Sequence, residues 1–304
     1  MMSIESFPRC RTGFARTLAA IGAACLLAFG TAAVHADAGS LRAKHGELRE
    51  RLSNNPYQRA LHIDSTEASN SLQGDVYAVL DHPFEKVRDA LKEPGAWCDV
   101  MLLPFNTKYC RASEGGGGQQ LAVRIGRKFN QPVEQAFKID FQFRNAAATA
   151  DYLETRVTAP EGPVGTRDYR IRVEAVPLPG GKTFMHLSYA YGYGTASRLA
   201  MSAYLATAGA DKIGFSQTRD ANGQLQYIDG MRGAIERNAM RYYLAIDAYL
   251  DALDTPASQQ VEKRIQQWFT ESERYPRQLR EMDRTTYVTM KRAEYERQQT
   301  AALN

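Results

Sequence analysis

The sequence predicts an α+β protein in which a curved antiparallel sheet wraps round a long C-terminal helix. An alternating strand at 75–81 leads through His82-Pro83 into an amphipathic helix at 83–92. Further strand-like segments follow, and apolar side chains then recur at spacings of three and four over 231–253. An antiparallel sheet with one apolar face needs such a helix to cover it. The further segments lie at residues 105–112, 119–128, 132–145, 150–158, 167–177 and 182–193.

The first 36 residues have the pattern of a signal peptide. Arginines at 9, 11 and 16 precede an apolar run over 17–34, and Val34-His35-Ala36 supplies small residues for a signal peptidase. We therefore expect cleavage after Ala36 and a periplasmic or secreted protein. An uncleaved anchor is the alternative, because a bilayer span takes roughly 20 apolar residues. A lipoprotein site at Cys25 fits less well, since the mature chain would then begin inside the apolar run.

The charge of the chain argues against nucleic acid as a partner. Removal of residues 1–36 would take away three arginines and one glutamate, so the formal net charge of +4 would fall to +2. Phosphate binding needs concentrated positive charge, which a nearly neutral chain of this length does not supply.

The cysteines predict one disulfide bond. Two of the four cysteines lie in the signal segment, which leaves Cys98 and Cys110 as a pair in an oxidising compartment. Two buried free thiols are the alternative. The histidines of the mature chain are scattered without ligand spacing, so we expect no metal site and no cofactor. These histidines are His45, His62, His82 and His186.

Residue alternation assigns one face of each strand to the interior. In the strand at 132–145, aromatic and aliphatic side chains alternate with charged ones, and the same pattern recurs in the last two strands. The inward faces and the helix stripe predict the walls of a ligand cavity. The predicted ligand-binding residues are Phe137, Ile139, Phe141, Tyr169, Ile171, Tyr189, Tyr191, Tyr242, Ile246 and Tyr249.

Residues 79–87, Val-Leu-Asp-His-Pro-Phe-Glu-Lys-Val, followed by Trp97, resemble the opening of the START-related, Bet v 1-like (SRPBCC) superfamily. The segment 165–169, Gly-Thr-Arg-Asp-Tyr, and the long helix near 231–253 resemble the same group. The resemblance covers about 72–254 and implies a helix-grip fold in an exported, bacterial-type member. It also implies a deep pocket between sheet and helix, which in this superfamily commonly holds lipids, sterols or other hydrophobic molecules.

Three other segments surround this domain. Residues 37–71 predict a short helix and a loop, with Leu41, Leu48 and Leu52 as the apolar positions. The insertion at 198–230 combines an apolar helical part with a hairpin, and it predicts a lid, a transient membrane contact or the cover of a sheet edge. The C-terminal extension, 255–304, predicts amphipathic helices divided at Pro276, which pack on the domain, form an oligomer contact or bind a membrane.

Three functions fit this pattern. The first is a binding or transfer protein that holds a lipid or other hydrophobic small molecule. The second is an enzyme on the same scaffold that resembles the aromatase/cyclase branch, for which Arg124, Tyr189 and His186 are the first candidates. The third is a structural envelope protein with a filled pocket. No catalytic constellation stands out, so whether the chain is an enzyme stays open, and we favour the first function.

The start of the long helix carries unusual charge for a buried element. Residues 232–238 read Arg-Gly-Ala-Ile-Glu-Arg-Asn. These charges either neutralise a ligand carboxylate or phosphate, or form an internal ion pair with Asp168 or Glu236. We favour the internal pair, because buried charges are usually matched within the fold.

Overall fold

The computed structural model describes residues 37–115, 118–207 and 209–300, so the predicted signal peptide lies outside the described residues. Eight strands form one antiparallel sheet with the order β1-β2-β8-β7-β6-β5-β4-β3. Register shifts in three of the strand pairs bend the sheet. The strands are β1 (Leu61–Glu67), β2 (Ser71–Leu80), β3 (Thr107–Gly115), β4 (Gly118–Ile125), β5 (Phe137–Ala148), β6 (Leu153–Glu161), β7 (Thr166–Leu178) and β8 (Lys182–Tyr193).

Among the described residues, one α-helix precedes the sheet, two lie between its strands and five follow it, and the short 3-10 helices Val133–Gln135 and Pro163–Gly165 connect later strands. A small hairpin, β9 (Gln217–Arg219) and β10 (Leu225–Tyr227), lies between two of the later helices, where the insertion predicts one. No helix among the described residues is both long and apolar enough to cross a bilayer. The helices are α1 (residues 37–53), α2 (Phe84–Leu91), α3 (Pro94–Leu102), α4 (Thr195–Leu205), α5 (Gly230–Ala252), α6 (Ala257–Ser272), α7 (Pro276–Leu279) and α8 (Arg284–Thr300).

The long helix α5 lies across the inner face of the sheet and contacts β1, β2 and β8. Its close approach to β2 depends on Gly74, because a Cβ there would lie 3.1 Å from the Ile235 carbonyl oxygen and 3.3 Å from the Ala239 Cβ. Inward side chains of the strands and the apolar stripe of α5 form one buried core. The predicted α+β class and helix-grip architecture are confirmed by this arrangement.

Two elements are missing from the sequence prediction, and the strand predicted at 132–145 begins only at Phe137, because Val133–Gln135 form a 3-10 helix. Residues 61–67, expected within a loop, form β1, in which Leu61, Ile63 and Ser65 are buried in alternation and pair with β2. The Pro94-Gly95 pair, expected to break the chain, instead begins α3, because proline suits the first turn of a helix. The two missed elements are short, and their signals are weaker than those of the long strands.

The segments flanking the sheet pack on opposite sides of it. Helix α1 covers the outer face, where Leu41, Leu48 and Leu52 contact a second apolar cluster that includes Phe184 and Val176. The tail helices α6 and α8 join the main core instead, with Ile265, Trp268, Phe269, Tyr287 and Val288 all buried. Contacts between α6 and α5, and between α8 and β3, place the tail against the domain.

The Cys98–Cys110 disulfide is confirmed. It joins α3 to β3, with the two Cα atoms 5.1 Å apart. Both half-cystines are buried in the main core. The bond therefore ties the connection between the first helices and the sheet.

Candidate functional site

A cavity of about 330 Å³ lies between the inner face of the sheet, α5 and α4. Its wall combines aromatic rings, aliphatic side chains and a few polar groups, and no carboxylate, histidine or cysteine is among the described residues that line it. Such a mixture is typical of small-molecule sites. The lining residues are Asn106, Ile125, Ile139, Phe141, Pro163, Val164, Thr166, Tyr169, Tyr189, Tyr191, Ser197, Ala200, Met201, Tyr204, Asn238 and Tyr242.

Tyrosine rings form much of the cavity wall. Tyr189 and Tyr191 share the inward face of β8, because alternate residues of a strand point to the same side. The Tyr169 ring stacks on Tyr191 with centroids 5.4 Å apart, and the Tyr189 ring lies 5.4 Å from that of Tyr242 on α5. These contacts fix the rings against one another and leave their hydroxyl ends to set the polarity of the cavity.

Three of these hydroxyls have no hydrogen-bond partner within the described part of the chain. The Tyr169 hydroxyl is 2.8 Å from the Thr166 hydroxyl. The hydroxyls of Tyr189, Tyr191 and Tyr242 form no hydrogen bond with any described residue. Burial raises the pKa of all three unpartnered phenols, so they stay protonated and can donate. Three unpartnered donors facing one space indicate a site for acceptor groups on a ligand.

Helix α4 covers the cavity. Ser197, Ala200, Met201 and Tyr204 line it, and their spacing places them on one face of the helix. The Ser197 hydroxyl donates to the Val164 carbonyl oxygen over 2.8 Å, which links α4 to the turn before β7. The outward side chain of Leu199, by contrast, is 72% exposed. Of the roles expected for the 198–230 insertion, α4 thus occupies the position of a lid.

The structure brings six of the ten predicted ligand-binding residues together at the cavity: Ile139, Phe141, Tyr169, Tyr189, Tyr191 and Tyr242. The other four lie elsewhere. Ile171 and Ile246 are in the packed core, and Tyr249 is covered by the Arg264 guanidinium, 4.3 Å from its ring centroid. Phe137 is 54% exposed at the first position of β5. Core packing and a cavity wall both need apolar residues, so the helical stripe alone did not distinguish them.

Sequence reasoning predicted a lid within 198–230 but did not assign its residues, or Asn106 and Asn238, to the ligand site. The α4 positions carried a usable signal, since 197, 200, 201 and 204 follow helical spacing. Asn238 carried another, because it is a polar residue four positions before Tyr242 on the same stripe. Asn106, Ile125 and the residues at 163–166 come from turns and strand ends, whose placement depends on the folded sheet.

Two of the residues considered for catalysis point away from the cavity. His186 lies on the outer face of the sheet, with ring nitrogens 2.8 Å from an Asp75 carboxylate oxygen and 3.0 Å from one of Glu174. Arg124 lies between Val123 and Ile125, whose side chains face inward, so its own side chain faces outward. Only Tyr189 of the three lines the cavity. The described residues also bring no group of His, Cys, Asp and Glu side chains together that could hold a metal ion.

No protein-family model matches the chain, and no curated protein matches it. Among solved structures, it is similar to truncated norcoclaurine synthase from Thalictrum flavum, with 13% identity over 48% of this chain and 90% of that one, at a TM-score of 0.32. It is similar to Ara h 8.0201, with 10% identity over 63% of this chain and 99% of that one, at 0.34. It is also similar to a conserved protein from Geobacillus kaustophilus, with 13% identity over 46% of this chain and 86% of that one, at a TM-score of 0.30. Likeness this distant says nothing of activity, so the fold assignment rests on the strand order and the position of α5.

Proposed function

We propose that this protein is an exported binding or carrier protein that holds one hydrophobic small molecule between the sheet, α5 and α4. The observation that carries the proposal is the open, tyrosine-lined cavity with three unpartnered hydroxyl donors. The rings supply apolar contact, and the hydroxyls favour a ligand that carries acceptor oxygens. The open volume counts against a pocket filled by its own side chains.

The size of the cavity narrows the class of ligand. A volume of about 330 Å³ is near the lower end of the roughly 300–1,000 Å³ usual for small-molecule sites. This supports a compact ring compound or a single short acyl chain. A two-chain phospholipid fits poorly, because most of its surface would stay outside.

Export and membrane loading complete the proposal. The signal-peptide pattern of residues 1–36 and the disulfide both favour an oxidising compartment outside the cytosol. Leu199 on the lid and Val164 beside it are 72% and 50% exposed, so apolar surface surrounds the cover of the cavity. We include transient contact of this surface with a membrane as the route by which a hydrophobic ligand enters.

The first test is extraction of the protein purified from the periplasm, with mass spectrometry of both the intact chain and any released compound. We expect a chain that begins at Asp37 and a stoichiometric hydrophobic compound. The emptied protein is then titrated with the neutral dye N-phenylnaphthylamine, free or preloaded in lipid vesicles. Saturable fluorescence from both sources supports binding and uptake from a membrane, and an empty protein that also fails to bind the dye contradicts the proposal.

A matched pair of lid variants places the binding in the cavity. Ala200→Trp adds a large ring to the cavity-facing side of α4, whereas Leu199→Trp adds one to the exposed side. We expect the first to weaken dye binding by about tenfold or more, the equivalent of roughly 1.4 kcal/mol, and the second to leave it unchanged. Equal effects from the two variants would place the dye elsewhere.

A further inference from the structure

Four cations meet behind one end of the cavity, around a single carboxylate. Arg241 Nη2 is 2.6 Å from Glu281 Oε1, and Lys128 Nζ is 2.7 Å from the same oxygen. Lys212 donates to the Arg280 carbonyl oxygen, and Arg237 donates to that of Ile213 over 3.2 Å. We call Lys128, Lys212, Arg237 and Arg241 the cationic cluster.

The positive charge of this cluster is not matched within the described part of the chain. Arg237 is 2% exposed, and no carboxylate of the described residues lies within salt-bridge distance of it. Arg241 is 6% exposed, and its Nε has no hydrogen-bond partner among those residues. Burial and the neighbouring Arg241 lower the pKa of Arg237, and Tyr204 and Glu281 offset this only in part. Burial of four cations around one carboxylate is costly. The cluster is therefore arranged to receive negative charge.

The internal partners expected from the sequence are engaged elsewhere. The Glu236 carboxylate accepts hydrogen bonds from the Ser65 hydroxyl and from the backbone amides of Phe215 and Ser216. Asp168 lies 3.6 Å from Arg167. The predicted internal ion pair forms instead between Arg232, at the start of the same run, and Asp64, over 3.8 Å, because neutral donors and Arg167 take the carboxylates of Glu236 and Asp168.

Two cavity-wall residues contact the cluster directly. Lys128 Nζ donates to the Tyr204 hydroxyl over 3.1 Å, and Arg241 Nη1 donates to Asn238 Oδ1 over 3.4 Å. Burial alone would raise the pKa of Tyr204, but Lys128 outweighs it and lowers that pKa. Because Asn238 accepts from Arg241, its amide nitrogen is the end that can donate to a ligand. One end of the cavity is therefore polar and electropositive.

We propose that the cationic cluster is an anion subsite and that the natural ligand has a hydrophobic body carrying one carboxylate, sulfonate or phosphate group. The anionic group lies at the Tyr204–Asn238 end, and the hydrophobic body lies among the tyrosine rings. The cluster attracts such a group through its charge, because it contacts the cavity wall at Tyr204 and Asn238 rather than lining the cavity itself. This inference rests on the proposed function, because it assigns an orientation to a ligand in the same cavity.

The test uses two dyes that differ by one sulfonate group, the neutral N-phenylnaphthylamine and the anionic anilinonaphthalene sulfonate. Lys128→Gln removes a cation whose side chain is 35% exposed, so the variant is expected to fold. Arg237→Gln removes the unmatched buried cation, and Lys138→Gln, an exposed lysine paired with Asp140, is the control. Thermal unfolding followed by circular dichroism checks that each variant is folded.

We expect Lys128→Gln and Arg237→Gln each to weaken binding of the sulfonate dye by roughly tenfold, because each removes one neighbouring positive charge, and to leave binding of the neutral dye unchanged. The control should change neither dye. If both dyes bind and the variants weaken them equally or not at all, the anion subsite is wrong and the proposed function stands. If neither dye binds the wild-type protein, the proposed function itself is wrong.

Inorganic phosphate separates two sources of the anion. Displacement of the sulfonate dye but not the neutral dye by phosphate would support a subsite that also accepts a free anion. Loss of sulfonate affinity in the variants without displacement by phosphate would support an anion that binds only when carried on a hydrophobic body.

Discussion

Two successive turns of α5 face the sheet in different ways. Tyr242 lines the open cavity, whereas Ile246, one turn later, is completely buried in the core. Helices α2, α3 and α6 all contact α5, and Arg264 of α6 covers Tyr249 one turn further on. The cavity therefore ends where the flanking helices fill the space between α5 and the sheet.

The chemistry of the inward residues marks the difference between these turns. The packed turn presents aliphatic carbon, which loses nothing by close packing. The open turn presents Asn238 and Tyr242, and the Tyr242 hydroxyl has no partner among the described residues. The contact of Tyr242 and Asn238 with open space marks this turn as cavity wall.

One substitution in each turn tests this difference most directly. Ile246→Ala leaves a cavity in packed core and should lower the free energy of unfolding by about 2–5 kcal/mol. Tyr242→Phe removes an unpartnered hydroxyl and should change it by less than about 1 kcal/mol, while weakening dye binding where the dye accepts that hydrogen bond. Urea unfolding followed by circular dichroism measures both, and losses of equal size would show that the two turns are packed alike.

Removal of the disulfide, which joins α3 to β3, tests the packed end of the core. The double substitution Cys98→Ser and Cys110→Ser should lower the free energy of unfolding by about 2–3 kcal/mol, because the bond closes a short loop. Reducing agent should lower the stability of the wild type and leave the variant unaffected. Since neither cysteine lines the cavity, the affinity for N-phenylnaphthylamine should stay constant in the folded protein, and a large change would mean that the packed end shapes the cavity.

Much of the fold could be predicted from the sequence, because alternation and helical spacing are local signals. The strands at 167–177 and 182–193 correspond closely to β7 and β8, and the helix at 231–253 to α5. Tertiary packing, by contrast, decides which residues of the inward stripe of α5 line the cavity. Tyr242 and Ile246 fit the same periodic pattern, and only the placement of α2, α3 and α6 decides which of them meets open space. The cationic cluster joins residues from distant segments of the chain, so spacing could not reveal it.

On the outer face of the sheet, unlike at the cavity tyrosines, a buried histidine and its neighbouring carboxylates are hydrogen-bonded to one another. His186 is stacked on Tyr77 with centroids 4.2 Å apart and lies between Asp75 and Glu174. Burial alone would lower the pKa of His186, but its hydrogen bonds to the two carboxylates outweigh this and raise it. Burial would likewise raise the pKa of Glu174, yet hydrogen bonds from His186 and Tyr152 lower it to about 2.

The smallest expected effect is a pH dependence of stability from this pairing. Because the folded-state pKa of His186 is raised, its contribution is complete below the usual value of about 6.5 and is lost as pH rises through the folded-state pKa. The wild type should thus lose about 1 kcal/mol of unfolding free energy over that rise, the size of one net hydrogen bond. His186→Gln should flatten this slope without changing dye affinity, because the residue lies outside the cavity. The carboxylates act in a separate window, since the lowered pKa of Asp75 and Glu174 makes their contribution fall only in acid. A slope between neutral and alkaline pH that survives the substitution would show that His186 is not its source.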